Sequence, residues 1–244
     1  MTNGEIARRL QEHLARTAVA HGLMDDSLMV TARGLSPGEA IGNPEHDDYP
    51  LVTGRERIME ANVRGACGQA FTDMYGRWEG RIQDVCAAKP ANNYRRAILV
   101  ATLNAVMRYS GDLNDTLHCR DEGPVRCAGE LARFVDREGL RPPFALIGYQ
   151  PRLAEALAAR GEVRIVDMDV LNIGRMAAGV RIVGPEQTDQ SLRDAGCALV
   201  TGSTIVNGTI VRFLDLDMPT VFFGVTIAGA ARVLGLRRFC PAGR

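Results

Sequence analysis

The second half of the chain alternates short apolar strands with helical segments, and this alternation constrains the fold more than any other feature. Apolar runs at Phe144–Gly148, Val163–Val166, Cys197–Thr201 and Thr220–Phe223 have the length of buried strands. The segments between them are long enough to hold helices. Strands that are apolar on both faces and are joined through helices form parallel sheets covered on both sides. The sequence therefore predicts a doubly wound, mostly parallel, Rossmann-like α/β sheet in this region.

The first part of the chain predicts a smaller α+β domain. Apolar residues recur every four positions in a first helix that ends near Gly22, and a strand is predicted at Leu28–Ala32. Two stretches rich in glycine and polar residues, 42–57 and 65–80, are predicted to be loops.

A helix predicted at Tyr94–Tyr109 connects the two parts. We therefore divide the chain into a small α+β domain at residues 1–92 and a Rossmann-like domain at residues 93–244, with the connecting helix in the second.

Charge and hydropathy exclude several classes of protein. Lysine plus arginine and aspartate plus glutamate both number 29 in the 244 residues, so the formal net charge is zero and a nucleic-acid-coating protein is not expected. No apolar run approaches the roughly 20 residues of a membrane span. Met1–Leu10 has no apolar core of the kind a signal peptide needs, so we expect a cytoplasmic protein with six cysteine thiols.

The loops that follow the predicted strands are the first candidates for a site. In open parallel sheets, ligands bind at the carboxyl ends of the strands. The loops Gly148–Pro151, Asp167–Asp169, Thr201–Thr204 and Gly224–Thr226 should therefore share one rim.

The run Thr201–Thr209 is the most distinctive of these segments. It follows a strand, and its glycine and hydroxyl residues predict an anion-binding turn at the start of a helix. Capping of that helix by Ser203 or Thr204 explains the same residues equally well. Asp167 follows the predicted strand Val163–Val166. It either contacts ribose hydroxyls or occupies a solvated turn.

The densest polar segment, 114–127, contains possible metal ligands. His118 and Cys119 are adjacent and Cys127 follows in the next predicted helix, while Cys240 comes after the last predicted strand. Imidazole and thiolate bind borderline and soft metals. The alternative is that these are core cysteines and a histidine bonded to backbone, because the spacing matches no standard zinc motif.

Three segments resemble the Rossmann-like family labelled "putative heavy-metal chelation": Thr201–Thr209, Val221–Thr226 and Ala101–Ala105. This resemblance implies an N-terminal domain similar to the enolase N-terminal domain and a site between the two domains. It further implies a cleft lined by four residues of the glycine-containing loop and one residue of the connecting helix, namely Gly202, Ser203, Thr204, Asn207 and Asn104.

Three functions remain open from the sequence. The first is a metal-handling protein that binds a transition metal or a metal–chelate ligand, with Glu122 taking a proton in a chelatase-like variant. The second is an enzyme with a nucleotide or adenosyl-type cofactor. The third is a non-catalytic carrier of a small ligand. The expected partner is a small anionic or metal-chelating molecule, with no nucleic acid or membrane, and homo-oligomerisation stays open.

Overall fold

The computed structural model describes residues 1–24 and 30–244. The predicted strand at Leu28–Ala32 lies partly outside these residues. In the first part of the chain the elements are α1 (Asn3–Ala20), β1 (Val30–Gly34), α2 (Pro37–Ile41), α3 (Pro50–Thr53), β2 (Arg57–Val63), β3 (Ala66–Thr72), β4 (Trp78–Gly80) and α4 (Ile82–Ala87).

A long helix, α5 (Asn93–Tyr109), leads into the second part. Its elements are α6 (Gly123–Arg137), β5 (Phe144–Ile147), α7 (Pro151–Ala158), β6 (Val163–Val166), β7 (Met176–Ala177), β8 (Val180–Arg181), α8 (Thr188–Leu192), β9 (Cys197–Thr201), α9 (Thr204–Asn207), β10 (Thr220–Phe223), α10 (Ala228–Leu234) and β11 (Arg238–Phe239). Short 3₁₀ helices lie at Pro185–Gln187 and Ile210–Phe213.

The second part contains the predicted parallel sheet. Its five strands are ordered β11-β10-β9-β5-β6, and every neighbouring pair is parallel. The strand β5 is buried along its whole length, which explains why it is apolar on both faces. The chain runs from β5 to β6 on one side and then crosses to β9 on the other. This reversal beside β5 creates the crevice where such sheets bind ligands.

The first part contains an antiparallel sheet ordered β3-β2-β1-β4. The prediction that residues 65–80 form loops is wrong, because β3 and β4 lie there. The 42–57 segment is also less irregular than predicted, since it contains α3 and the first residue of β2. Arg64 and Gly65 both have positive φ and join β2 to β3 in a two-residue turn.

Gly68 shows why a glycine occurs inside β3. A β-carbon at this position would lie 2.2 Å from the backbone nitrogen of Ala105 and 2.4 Å from the carbonyl oxygen of Ala101, both in α5. The strand and the helix therefore approach more closely than any other residue would permit. Gly68 suggested a loop in the sequence, but in the structure it allows β3 to pack closely on α5.

Helix α5 is buried from Ala97 to Met107 without interruption. It packs on β2 and β3 on one side and on α9 and α10 on the other. One apolar core consequently runs through both predicted domains, from Leu14 in α1 to Val200 in β9. In the described part of the chain, no helix is long and apolar enough to cross a membrane.

Candidate functional site

A cavity of about 400 Å³ lies between the parallel sheet and the N-terminal part of the chain. All four loops predicted to share a rim contribute to it. Residues from the carboxyl ends of β5, β6, β9, β10 and β11 form its floor, among them Gly148, Asp167, Gly202, Gly224 and Cys240. The cavity therefore occupies the crevice that the strand order predicts.

Residues before α5 form the opposite wall of the cavity. Tyr49 and Glu56 come from the segment that we predicted as a loop, and Phe71 comes from β3. Arg152 on α7 fixes this wall, because its guanidinium donates a hydrogen bond to the Asp48 carboxylate over 2.6 Å. We name residues 42–54 the strap, because they cross from one part of the molecule to the other.

The backbone next to His118 is attached to β3 and to the end of the chain. The N–H of His118 donates to Oε1 of Gln69 over 2.6 Å, and Leu117 exchanges two backbone hydrogen bonds with Arg244. The imidazole packs edge-on against Phe71, with ring centroids 5.4 Å apart. These contacts direct the segment that carries His118 and Cys119 to the cavity.

His118 and three cysteines line the same region of the cavity: Cys119 before α6, Cys127 in α6 and Cys240 after β11. The structure thus brings the four predicted metal ligands to one region, which we call the thiol wall. Nδ1 of His118 is buried and has no hydrogen-bond partner among the described residues. Burial lowers the pKa of His118 to about 4, so its imidazole is neutral at pH 7.

The three thiols of this wall are protonated at neutral pH. Burial, reinforced by the nearby Cys240, raises the pKa of Cys119 to about 12. Burial also raises the pKa values of Cys127 and Cys240. Within residues 1–24 and 30–244, no group of three or more histidine, cysteine or acidic side chains is arranged to hold a metal ion. The donors line one wall but do not converge on a point.

The contacts of the loop at Gly202 hold parts of the fold together, which neither anion binding nor helix capping describes. Its N–H donates to the Phe223 carbonyl over 2.8 Å, and a β-carbon at Gly202 would lie 2.8 Å from Ile227. The helix α9 that follows is a single turn. Oγ of Ser203 lies 3.2 Å from Oγ1 of Thr201, and the Thr204 hydroxyl donates to the Thr201 carbonyl.

Ser203, Thr204 and Asn207 all line the cavity. Nδ2 of Asn207 donates to the Met168 sulfur over 3.3 Å, and its Oδ1 accepts hydrogen bonds from the N–H and hydroxyl of Thr209. Asn207 therefore stabilises the turn after α9 while facing the cavity.

Asp167 organises two of the loops at this edge. One carboxylate oxygen accepts the N–H of Tyr149 over 2.6 Å, and the other accepts the N–H of Asp169 over 2.7 Å. Nδ2 of Asn172 lies 3.4 Å from the latter oxygen. Burial raises the pKa of Asp167, and these hydrogen bonds oppose that increase. The carboxylate thus holds the ends of β5 and β6 in register.

Glu56 is an acidic residue of the cavity lining that the sequence did not indicate. Burial, together with the charges of Asp167, Asp73 and Asp169, raises the pKa of Glu56 to about 7. Glu56 is separated from β6 by a long stretch of chain, so nothing in its local sequence signals this environment.

Two predicted site residues lie outside the cavity lining. Glu122 is exposed at the start of α6. Asn104 is buried in α5, and its Nδ2 donates to the carbonyl of Gln69 while its Oδ1 accepts the N–H of Gly229. Asn104 therefore joins β3 to α10 and has no free polar atom to offer a ligand.

A comparison of the chain with known families agrees with the fold. Residues 140–234 match the DUF364 family, described as "Putative heavy-metal chelation". This match confirms the resemblance seen in the sequence. The matched region spans the sheet from the start of β5 to the end of α10.

Two crystal structures of DUF364 proteins of unknown function resemble the chain. The protein from Pyrococcus horikoshii is 16% identical, with a TM-score of 0.56, over 91% of this chain and 79% of that one. The protein from Desulfitobacterium hafniense is 14% identical, with a TM-score of 0.51, over 73% of this chain and 72% of that one. These likenesses concern the fold. No match was found among curated proteins.

Proposed function

We propose that the protein binds a metal ion carried by a small organic chelator in the cavity between its two parts. The observation that carries this proposal is the size of the cavity combined with the chemistry of the thiol wall. A volume of about 400 Å³ falls in the range of small-molecule sites and far exceeds that of a bare ion. The description of the matching family, heavy-metal chelation, is consistent with it.

The arrangement of donors favours a chelate over a bare ion. A metal bound by protein alone needs several converging ligands, and the described residues contain no such group. A metal already held by an organic ligand needs only one or two further donors. Cys119 and His118, on one wall of a roomy cavity, suit that requirement.

The donor types favour a soft or borderline metal. Neutral imidazole is ready to coordinate, and the buried Nδ1 of His118 has no competing partner in the described structure. A thiol coordinates as its thiolate, so binding releases a proton from the cysteine involved. The apolar surroundings that keep these thiols protonated also favour soft metal ions over strongly hydrated hard ions.

A nucleotide or adenosyl cofactor has less support. The ribose-binding role considered for Asp167 requires free carboxylate oxygens, yet both oxygens accept backbone hydrogen bonds. The proton-acceptor role considered for Glu122 in a chelatase-like variant has no support, because Glu122 is exposed and outside the cavity lining. We therefore propose binding and carriage of the metal chelate, with the metal as cargo.

A titration with Cd²⁺–iminodiacetate tests this function in reduced, metal-free protein. Cadmium bound to thiolate absorbs in the ultraviolet, so coordination by cysteine is directly visible. We expect a saturable signal in the wild type and its loss in Cys119→Ser. Cys86→Ser is the matched control, because Cys86 is half-buried in α4 and lies outside the cavity lining. Equal signals from Cys119→Ser and the wild type would refute the proposal.

A further inference from the structure

The Glu56 side of the cavity differs in chemistry from the thiol wall. Its acidic groups come from three segments: Glu56 before β2, Asp73 after β3, and Asp167 and Asp169 after β6. Glu56 and the two aspartates after β6 line the cavity, as does Asp73. Four carboxylates from both parts of the molecule thus line the cavity, and the charges of three of them act on Glu56.

Glu56 differs from the other three carboxylates in its hydrogen bonds. Asp167 accepts the backbone hydrogen bonds described above, Asp169 accepts the N–H of Leu171 over 2.9 Å, and Asp73 accepts Nδ2 of Asn93 over 2.6 Å. The Glu56 carboxylate receives no hydrogen bond from the described residues, and the residue is only partly exposed. It faces the cavity without a partner.

A partly buried carboxylate that has no hydrogen-bond partner and feels the charges of three aspartates favours a positively charged partner. The surroundings of Glu56 all act against its charge, since burial and the three aspartates raise its pKa to about 7. At physiological pH the group is therefore poised between holding a proton and accepting a cation from a ligand.

We infer that this acidic end of the cavity binds a positively charged nitrogen group, an ammonium or amidinium, on the organic ligand. The inference deepens the proposed function and rests on it only in assigning a ligand to the same cavity. A metal ion suits this end poorly, because the described carboxylates form no chelating group. An organic cation needs one direct carboxylate partner and tolerates the others at longer range.

The same cavity also offers apolar surfaces to an organic group attached to that cation. Phe71, Tyr149 and Leu153 line the same cavity and offer aromatic and aliphatic contacts. A flat aromatic amidine is therefore a suitable probe. Benzamidine carries the positive charge, and benzamide has nearly the same shape without it.

Calorimetric titration of reduced, metal-free protein at pH 8 with these two probes tests the inference. We expect benzamidine to bind at least about tenfold more tightly than benzamide, since a charged hydrogen bond forms only with the former. Glu56→Gln should remove that preference. Glu79→Gln, an exposed acidic position in β4, should retain it. A preference that is absent in the wild type, or unchanged in Glu56→Gln, overturns the inference.

Two further measurements make the test specific. Lowering the pH from 8 to about 5.5 should reduce the benzamidine preference, because Glu56 then becomes protonated while benzamidine stays charged. Mg²⁺ should not displace benzamidine, and displacement would instead indicate a metal site. Because the protein is free of metal, failure of the thiol wall to bind a metal chelate would leave these results unaffected.

Discussion

Replacing Glu56 by glutamine should stabilise the protein in a manner that depends on pH. The pKa of Glu56 rises from 4.5 to about 7 on folding, because the folded protein encloses the carboxyl among three aspartates. A raised pKa means that the folded state binds the proton more tightly than the unfolded state. The stability from this group is therefore fully present below pH 4.5 and is lost as the pH rises to about 7.

The size of the effect follows from the pKa shift. At 1.36 kcal/mol for each pKa unit, a shift from 4.5 to about 7 corresponds to about 3 kcal/mol of lost stability above pH 7. Glutamine keeps the shape of the protonated group and has no charge to lose. Glu56→Gln should thus match the wild type near pH 4 and exceed it by up to about 3 kcal/mol at pH 8.

Urea denaturation at several pH values between 4 and 8 measures this difference. The unfolding free energies of Glu56→Gln and the wild type should diverge as the pH rises, with unchanged m values. Glu79→Gln serves as the exposed control and should run parallel to the wild type. A constant difference between Glu56→Gln and the wild type at every pH would refute the reasoning about the environment of Glu56.

Three further predictions concern the packing around the cavity. Gly68→Ala should lower the free energy of unfolding by about 3 kcal/mol or more, because its methyl group meets the backbone of α5. Gly65→Ala should lower it by only about 1–2 kcal/mol, through strain in the turn. Thermal unfolding compares the two variants. Asn104→Leu should cost roughly 3 kcal/mol in urea denaturation, because it leaves buried backbone groups unpaired. Arg152→Met should accelerate hydrogen exchange in the strap, and unchanged exchange there would contradict the role of its ion pair with Asp48.

The parallel sheet could be predicted because its strands carry their own signal. Strands such as Phe144–Ile147 and Cys197–Thr201 are apolar on both faces, and burial on both faces requires that composition. The loops at the carboxyl ends of these strands follow from topology alone, so four segments of the cavity lining could be predicted from the sequence.

The antiparallel sheet could not be predicted from the same signals. Residues Ala66–Thr72 include a glycine and the polar Gln69, which are typical of loops, yet both are required where β3 contacts other elements. Gly68 permits contact with α5, and Gln69 bonds to the backbone of His118. Each residue responds to a partner that is distant in the sequence, and local propensity carries no information about such partners.

The residues of the candidate site also differ in how far the sequence indicated them. Cys119, Cys127 and Cys240 were identified by their chemistry, and the fold brings them to one wall. Asn104 was implied by the family resemblance, but its hydrogen bonds join elements of the fold. Glu56 had no chemical signal, because its environment arises only when the two parts of the chain meet.

Native mass spectrometry of the reduced protein with excess Cd²⁺–iminodiacetate tests the central claim most directly. The account predicts one added mass that contains both cadmium and iminodiacetate, in the wild type and in Cys86→Ser but not in Cys119→Ser. Addition of cadmium alone would instead indicate a site for a bare ion. That result, or no addition to the wild type, would contradict the proposal that the cavity binds a metal together with its organic chelator.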